Sequence, residues 1–458
     1  MNKLMTSDRG NPGLGVLTGA VMLLGAVLGP GALSLPALAA DAAGPASLVA
    51  WGLLLGASIP VAATFAALGS AYPDGGGVAH FAAGAFGRRI AAPVSWWFLA
   101  AVPLGVMAAA LMGGHYIAAA LGAGPDVALA VGLGLLATSF VLNAVGLHAT
   151  GRAQVLTAAV MVTLLVVTIT VSLGGVHAEA FTPFAPSGLG SVAIASTVLF
   201  FAFAGWEAAT HLSAEFADPV NGLRRATALA LCLVIMLYLG LAVVTIGVLG
   251  PAAGSTPAPL LVLLQRAFGP TGTALATVAA VLLTFGAINA YLASGARLGA
   301  ALGRDGSLPR WLVGRTTPGR EPRRSLGFLA VCCLLLAVPV LSGAITLDAL
   351  VRATSALLAA VSLVGALAGT RLLRGRQRRT AVVASSFLGV LLVFCGPLLV
   401  VPAVVGGVAM VVRRGLPSRP EDRSRPRSAG ADQSATDQSA LSSALRRPRR
   451  ERRGRSLP

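Results

Sequence analysis

The sequence predicts an all-α integral membrane protein of about twelve transmembrane helices, and three observations support this fold class. The chain has 458 residues, of which 56% are hydrophobic and 11% are charged, whereas a soluble domain carries about 25% charged residues. Apolar runs of roughly 20 residues, the length that spans the hydrocarbon core of a bilayer, recur about a dozen times. Arginine collects in alternate short loops between these runs, as the positive-inside rule requires.

The individual spans follow from apolar length and from glycine and proline punctuation. They cover residues 14–40, 46–71, 92–121, 125–147, 153–174, 190–212, 225–249, 272–296, 325–343, 348–370, 380–395 and 398–412. The last two are short and could be misread as one long hairpin. A cleaved signal peptide is the alternative for the first run, because Lys3 and Arg9 precede it and an Ala-x-Ala pattern ends it. That run is long for a signal peptide and is interrupted by glycine and proline, which favours a broken spanning helix.

The arginine pattern predicts topology as well. Loops with Arg88, Arg152, Arg224, Arg304, Arg324 and Arg376 alternate with loops that hold Asp41, Asp126, Glu179 and Asp348, and Arg266 is the clear exception. We therefore expect a multi-pass protein of the cell membrane with both termini cytoplasmic. It would consist of an N-terminal segment (1–13), a membrane domain (14–412) and an arginine-rich tail (413–458).

The formal net charge of +18 would indicate nucleic acid in a soluble protein. Here the longest basic stretch, residues 413–458, contains no aromatic residue that could stack on bases, so we expect no nucleic-acid partner. The tail has too few apolar residues to offset chain entropy and is predicted to be disordered. It either binds anionic membrane lipid or is an inert solvated segment.

No pattern in the sequence predicts an enzyme, a cofactor or a metal centre. The four cysteines, Cys232, Cys332, Cys333 and Cys395, lie in apolar runs without a C-x-x-C spacing, which favours small buried side chains. Intramembrane catalysis would require paired acids or an H-x-x-x-H pattern at one depth, and the spans hold neither. The glycine run from Gly75 to Gly77 lacks the G-K-[ST] ending of a phosphate loop.

The first span contains three glycines and a proline within seven residues: Gly25, Gly29, Pro30 and Gly31. Such a run removes helical hydrogen bonds and exposes backbone N–H groups where no water is available. In transporters with discontinuous helices, these groups and the positive end of the following half-helix receive an anionic group. The alternative is a glycine-rich face for close helix packing.

The sixth span carries a carboxyl group in the sequence Phe203-Ala204-Gly205-Trp206-Glu207. A carboxylate at this depth costs about 2.5 to 3.5 kcal/mol, so Glu207 requires a partner or a function. His211 and Glu215 follow at four-residue spacing on the same helical face. A polar inner helix end, a gating or proton-linked network and a metal site are the three interpretations. We also expect Gly205 to loosen the helix, and Phe203 and Trp206 to wall a side-chain pocket.

Two broken helices five spans apart are what an inverted five-plus-five repeat places face to face at the bilayer midplane. Weaker signals are the remaining polar residues of the spans. We expect His115 and Asn143 to hydrogen-bond between helices, and Asn289 and Tyr291 are further residues that could approach the site.

The residues from Tyr72 to Arg88, reading YPDGGGVAHFAAGAFGR, resemble the first inner loop of amino acid/polyamine/organocation (APC) permeases, and more narrowly that of bacterial L-methionine and branched-chain amino-acid exporters. Pro103-Leu104-Gly105, Gly205-Trp206-Glu207-Ala208 and the run from Ser213 to Pro219 are further matches. The resemblance covers about 400 residues. It implies the LeuT-like fold with broken helices 1 and 6 and two extra C-terminal helices.

By this resemblance, Gly25, Gly29 and Gly31 would bind the substrate carboxylate, while Phe203, Ala204 and Gly205 would bind the amino group. His80 and Glu215 would belong to gating at the inner loops. Some proton-coupled relatives carry a lysine in the fifth span, but residues 153–174 contain none, so no lysine can be assigned as the proton carrier.

The sequence therefore predicts a secondary transporter of neutral amino acids of the methionine or branched-chain type, working outward by alternating access. Its partners would be a small amino-acid substrate, protons as the candidate coupling ion, and membrane lipid. An importer or a polyamine carrier of the same fold is the alternative, although a polyamine would need more carboxylates than Glu207. A non-transporting membrane sensor is the alternative from another class.

Overall fold

In the computed structural model, the residues described are 15–72, 77–146, 151–203, 205–207, 216, 218, 221–304, 308, 310–313 and 322–414. Their regular structure is helical, and the α-helices are numbered here in chain order. They are α1 Val16–Val27, α2 Gly31–Ala43, α3 Ser47–Ala71, α4 Gly77–Phe86, α5 Arg88–Ala120, α6 Pro125–Val145, α7 Gly151–Ser172, α8 Ser191–Phe203, α9 Asn221–Leu249, α10 Pro259–Phe268, α11 Pro270–Arg304, α12 Arg323–Leu341, α13 Leu347–Leu372, α14 Gly375–Phe394 and α15 Val400–Arg414.

This helical, apolar architecture agrees with the predicted fold class. Within the described residues, nine helical stretches are long and apolar enough to cross a membrane, and shorter apolar helices lie between them. Each predicted span coincides with one long helix or with a shorter helix next to a break. The total of twelve spans and the inverted repeat stay predictions. The short helices α4 and α10 were not expected, because each falls in a stretch that the prediction left between two spans.

The first predicted span is two helices rather than one. α1 ends at Val27, where Leu28 leaves the helical region with φ −80° and ψ 70°, and α2 begins at Gly31. Pro30 lacks an N–H and cannot continue the hydrogen-bond ladder of α1. The expected interruption of this span is confirmed, at residues 28–30.

The sixth predicted span is also interrupted. α8 ends at Phe203, and Gly205 has φ +142°, a conformation that residues with a side chain rarely adopt. Residues 205–207 form a turn rather than a helix. Helix α8 therefore stops inside the apolar stretch that the sequence assigns to the bilayer.

Two groups of helices are distinguished by their packing. In the first group, α9 packs against α1, α2 and α3, and α8 packs against α2 and α3. In the second group, α5, α6, α11 and α12 contact one another, and α13 packs against members of both groups, α5 and α8. Within the second group α5 and α6 approach at the backbone, because a Cβ at Gly114 would overlap the carbonyl oxygen of Ala128. Small residues allow such close approach between membrane helices. Each group is thus a packed unit, and both interrupted spans belong to the first.

Candidate functional site

The two interruptions are brought together by the packing of α2 against α8. Gly31, the first residue of α2, is buried, and a Cβ there would lie 3.4 Å from the ring of Phe201. The start of one half-helix is therefore beside the last turn of the other. A helix start presents N–H groups and a helix end presents carbonyl groups without intrahelical partners. The junction can bind a negative and a positive group at neighbouring points.

The three glycines of the first span have different surroundings. A Cβ at Gly25 would lie 3.4 Å from Cβ of Ala158 on α7, so this residue faces a neighbouring helix. Gly31 faces α8. At Gly29, no atom of the described residues lies within 4 Å of the Cβ position. Among the three, Gly29 is the one that borders open space at the interruption.

A buried tyrosine joins the interruption to α9. The Tyr238 hydroxyl donates a hydrogen bond to the carbonyl oxygen of Val27 at 3.0 Å, which satisfies a carbonyl at the end of α1. Its ring contacts Trp51 and Phe203 with centroid separations of 5.1 and 5.8 Å. Such aromatic pairs add about 0.5 to 1.5 kcal/mol each beyond the burial of area. This cluster fixes the ends of α1 and α8 against α3 and α9.

Glu207 bonds to the backbone of the second interruption. Its side chain is 7% exposed, and its Oε2 accepts a hydrogen bond from the Gly205 N–H at 3.1 Å. A carboxylate that accepts backbone N–H bonds can replace the helical bonds lost at a break. Glu207 thus has a partner that the sequence did not predict, and it shapes the turn at residues 205–207.

Tyr291 on α11 approaches the junction from the second helix group. It lies close enough to Glu207 and Tyr238 to interact with both electrostatically, yet 41% of its surface is exposed. Tyr291 therefore connects α11 with the groups around the second interruption.

Phe203 and Trp206 are closely packed on the side that the described residues form, and the side-chain pocket expected beside them stays a prediction. A small cavity beside them, lined also by Leu54, Ser58 and Phe387, has a volume of about 10 Å³, which is space for roughly one water molecule. Trp206 is 1% exposed, and its Nε1 has no hydrogen-bond partner in the described part of the chain. The predicted wall of the pocket is therefore closely packed on this side.

A buried tyrosine bonds the first turn of α2 to two other helices. The Tyr116 hydroxyl on α5 donates a hydrogen bond to the carbonyl oxygen of Leu33 at 2.8 Å, and it accepts one from the Leu260 N–H at 3.3 Å. Tyr116 is fully buried. One hydroxyl thus connects α5, α2 and α10.

A second contact joins α2 to the segment before α10. The Ser34 hydroxyl donates to the carbonyl oxygen of Pro257 at 3.4 Å. A Cβ at Gly254 would lie 2.7 Å from Cα of Asp41, so the segment before α10 lies directly against the last turns of α2. We call this assembly of Tyr116, Ser34 and residues 254–260 the α10 cover.

The remaining predicted site residues lie elsewhere or outside the described residues. Ala204, His211 and Glu215 are among those outside, so the predicted face of Glu207, His211 and Glu215 is not described as a whole. His80 is exposed on α4, which packs against α5 and α13. Its ring lies 6.3 Å from that of Phe81. Among the described residues no group of three potential metal ligands occurs.

Two polar residues of the spans had been expected to join helices. Asn143 Nδ2 donates to Oδ1 of Asn289 at 2.7 Å, which connects α6 to α11 as expected. His115 differs, because its Nδ1 is buried without a hydrogen-bond partner among the described residues. The expected interhelical hydrogen bond of His115 stays a prediction.

Sequence reasoning missed Tyr116 and Tyr238. The chain has only four tyrosines, and three of them, Tyr116, Tyr238 and Tyr291, lie within the predicted spans. A hydroxyl in an apolar run needs a partner, because hydrocarbon provides none. A tyrosine hydroxyl inside a predicted span was therefore the signal that could have indicated these residues.

A family model described as amino acid permease matches residues 14–416. Among curated proteins, the chain is 33% identical over 393 residues to the uncharacterized amino acid permease YecA of Bacillus subtilis (strain 168), covering 85% of this chain and 92% of the relative. It is 32% identical over 391 residues to the L-methionine/branched-chain amino acid exporter YjeH of Escherichia coli (strain K12), covering 84% and 91%. It is 25% identical to the methylthioribose transporter of Bacillus subtilis (strain 168), over 67% of this chain and 74% of the relative.

Proposed function

Because the chain belongs to the amino acid permease family, we propose that it is a secondary active transporter that exports neutral amino acids across the cell membrane by alternating access. The observation that supports this function best is the meeting of two interrupted helices beside open space. The junction offers partners for both charges of a zwitterion. The arginine-rich helix ends are on the cytoplasmic side in this proposal, as the positive-inside rule requires.

In the proposed site the substrate carboxylate binds at Gly29 and Gly31, where the N-terminus of α2 provides N–H groups and the positive end of the helix dipole. The ammonium group binds the carbonyl groups of Phe203, Ala204 and Gly205 at the end of α8. Gly25 packs against α7 and contributes by letting α1 approach that helix. Glu207 holds the turn at Gly205 by accepting its N–H.

The proposed substrate class is inferred from the side chains around the junction and from the name of one relative. The side chains packed around the interruption are the buried rings of Trp51, Phe203, Trp206 and Tyr238, and Glu207 is the acidic group described there. An apolar site with few placed polar groups suits a neutral side chain. The name of the Escherichia coli relative gives methionine and branched-chain amino acids as its substrates, and we propose the same class here. A polyamine lacks a carboxylate for the α2 terminus and would face a single acidic partner.

Alternating access would be a movement of the first helix group against the second. The α10 cover bridges the groups, since Tyr116 on α5 bonds to Leu33 on α2. With the arginine-rich side in the cytoplasm, this cover would be external, and a state that keeps it in place would be closed to the outside. Opening would require loss of the Tyr116 bonds. Protons are the proposed coupling ion, with Glu207, His211, Glu215 and His80 as the groups to test.

Counterflow in proteoliposomes tests this function. Vesicles preloaded with unlabelled methionine are expected to accumulate labelled methionine and leucine but not putrescine. An imposed proton gradient is expected to drive net methionine movement if protons are coupled. Exchange of putrescine alone would indicate the polyamine carrier, and exchange of none of the three by folded protein would contradict transport.

A further inference from the structure

A groove lies on the outer surface of the helix assembly, away from the junction, between α5, α12 and α15. Its volume is about 410 Å³, within the range of roughly 300 to 1,000 Å³ typical of ligand sites. Six of its lining residues are Trp96, Leu104, Phe328, Cys332, Val404 and Val408. We call it the α5–α12–α15 groove.

The depth of the groove follows from the distance of its residues to the starts of α5 and α12. On α5 its residues are 8 to 16 positions beyond Arg88, or about 12 to 24 Å along the axis. On α12 they start five residues beyond Arg323. Both of these helices begin on the arginine-rich side, where Arg323 Nε also donates to the carbonyl oxygen of Ala144 at the end of α6. The groove therefore begins in the half of the bilayer next to that side and extends to the middle of the bilayer or beyond it.

One wall of the groove is held by a specific contact. Trp97 Nε1 donates a hydrogen bond to the carbonyl oxygen of Pro402 at 2.7 Å, which ties α5 to α15. A Cβ at Gly406 would lie 3.2 Å from the same indole ring, so the two helices are in close contact. A preformed wall lowers the ordering that a ligand must impose.

Two arginines lie on the helix faces that continue the groove toward the arginine-rich side. Arg89 is seven residues before Trp96 and Arg324 is four residues before Phe328, and both spacings keep residues on one helical face. Both arginines are exposed. Arg324 donates one hydrogen bond to the carbonyl oxygen of Trp311 at 3.2 Å, which leaves further N–H donors of its guanidinium. Trp311 is itself 54% exposed, as is typical of aromatic residues at a membrane interface.

We propose that the α5–α12–α15 groove binds an anionic phospholipid of the adjacent leaflet, with an acyl chain in the groove and its phosphate at Arg89 and Arg324. The acyl chain alone cannot provide selectivity, because it leaves hydrocarbon as apolar as the groove. Selectivity must come from the headgroup, and basic sites between helices on the cytoplasmic side bind such headgroups. The site is independent of the proposed transport function.

Native mass spectrometry of the full chain tests this site, with phosphatidylglycerol and phosphatidylcholine of identical acyl chains as probes. We expect the wild type to retain phosphatidylglycerol preferentially. Replacing both arginines, R89Q with R324Q, is expected to weaken that retention about fivefold for each residue, the factor equal to about 1 kcal/mol per basic residue. The matched control is R376Q with R378Q, which removes the same charge from the start of α14 and is expected to retain the lipid.

The location is tested with phosphatidylglycerol that carries a photoreactive acyl chain. We expect cross-links to residues 96–104, 328–336 or 404–408, and loss of these cross-links in Cys332→Trp, which fills the groove without changing charge. Equal retention of both lipids, equal loss in the control pair, or cross-links elsewhere would overturn the proposal. A disulfide cross-link between Cys332 of two copies, with loss of the bound lipid, would also overturn it, because the groove would then be an interface between copies. If the protein with both arginine substitutions does not fold, Cys332→Trp still tests the proposed site.

Discussion

At the residue scale, the site depends on a few groups with single functions. Tyr238 provides a hydrogen-bond donor for the carbonyl group at the end of α1, and Glu207 provides an acceptor for the N–H of Gly205. Gly29 has no described atom within 4 Å of its Cβ position. The sequence indicated Glu207 and the glycines, since a buried carboxylate and clustered glycines are conspicuous in an apolar run. It did not indicate Val27 as the partner of Tyr238, because the two residues are 211 positions apart.

Tyr238→Phe removes the donor to Val27 and keeps the ring. We expect this variant to lose about 1 to 3 kcal/mol of stability, because a buried carbonyl oxygen is left without a partner. Thermal unfolding of the purified protein in detergent measures the loss. Tyr72→Phe is the matched control, since its hydroxyl makes an exposed contact of 3.5 Å with the carbonyl oxygen of Leu372. An equal loss in both variants would contradict the role of Tyr238.

Gly205→Ala tests whether the turn itself is needed. The backbone at Gly205 has φ +142°, so a Cβ introduces strain of about 1 to 3 kcal/mol and is expected to reduce methionine counterflow at least tenfold. Gly188→Ala is the control, because Gly188 has φ +76° in an exposed loop with no described atom within 4 Å of its Cβ position. It should be strained as well but transport normally. Equal transport by the two variants would show that the turn at Gly205 is dispensable.

At the element scale, the positions of the interruptions could be predicted but their contacts could not. Pro30 with two adjoining glycines explains why α1 stops, and Gly205 explains why the chain can turn after α8. The α10 cover was not predicted, because α10 is only 10 residues long and its bond to Tyr116 joins residues 144 positions apart. A pattern along the chain does not specify such distant pairs.

Tyr116→Phe is expected to open the external side. Without its hydroxyl, α2 and α10 lose their shared partner, so the state closed by the α10 cover becomes less populated. The measurement uses Ser34→Cys, at a position 1% exposed, in a background without the four native cysteines. Labelling by an impermeant maleimide from outside should rise several-fold in Tyr116→Phe and stay unchanged in Tyr72→Phe. Unchanged labelling in both would contradict the cover as a gate.

At the scale of the whole molecule, composition and apolar run length sufficed for the membrane class, and the loop motif sufficed for the family. The division into two helix groups was not readable from the sequence, because nearly all faces of these helices are apolar and periodicity does not tell a lipid-facing side from a packed one. The groups became visible only through packing, in which both interruptions fall in one group and Tyr291 of the other faces them. In the proposed function, movement of one group against the other would provide alternating access.

Binding of labelled L-methionine to the purified protein, with Gly29→Leu and Gly327→Leu compared, tests the central claim most directly. Both positions have no described atom within 4 Å of the Cβ site, but Gly29 lies at the interruption and Gly327 lies in α12. If the junction is the substrate site, Gly29→Leu abolishes methionine binding, whereas Gly327→Leu binds methionine as the wild type does. Methionine binding retained in a folded Gly29→Leu protein would contradict it.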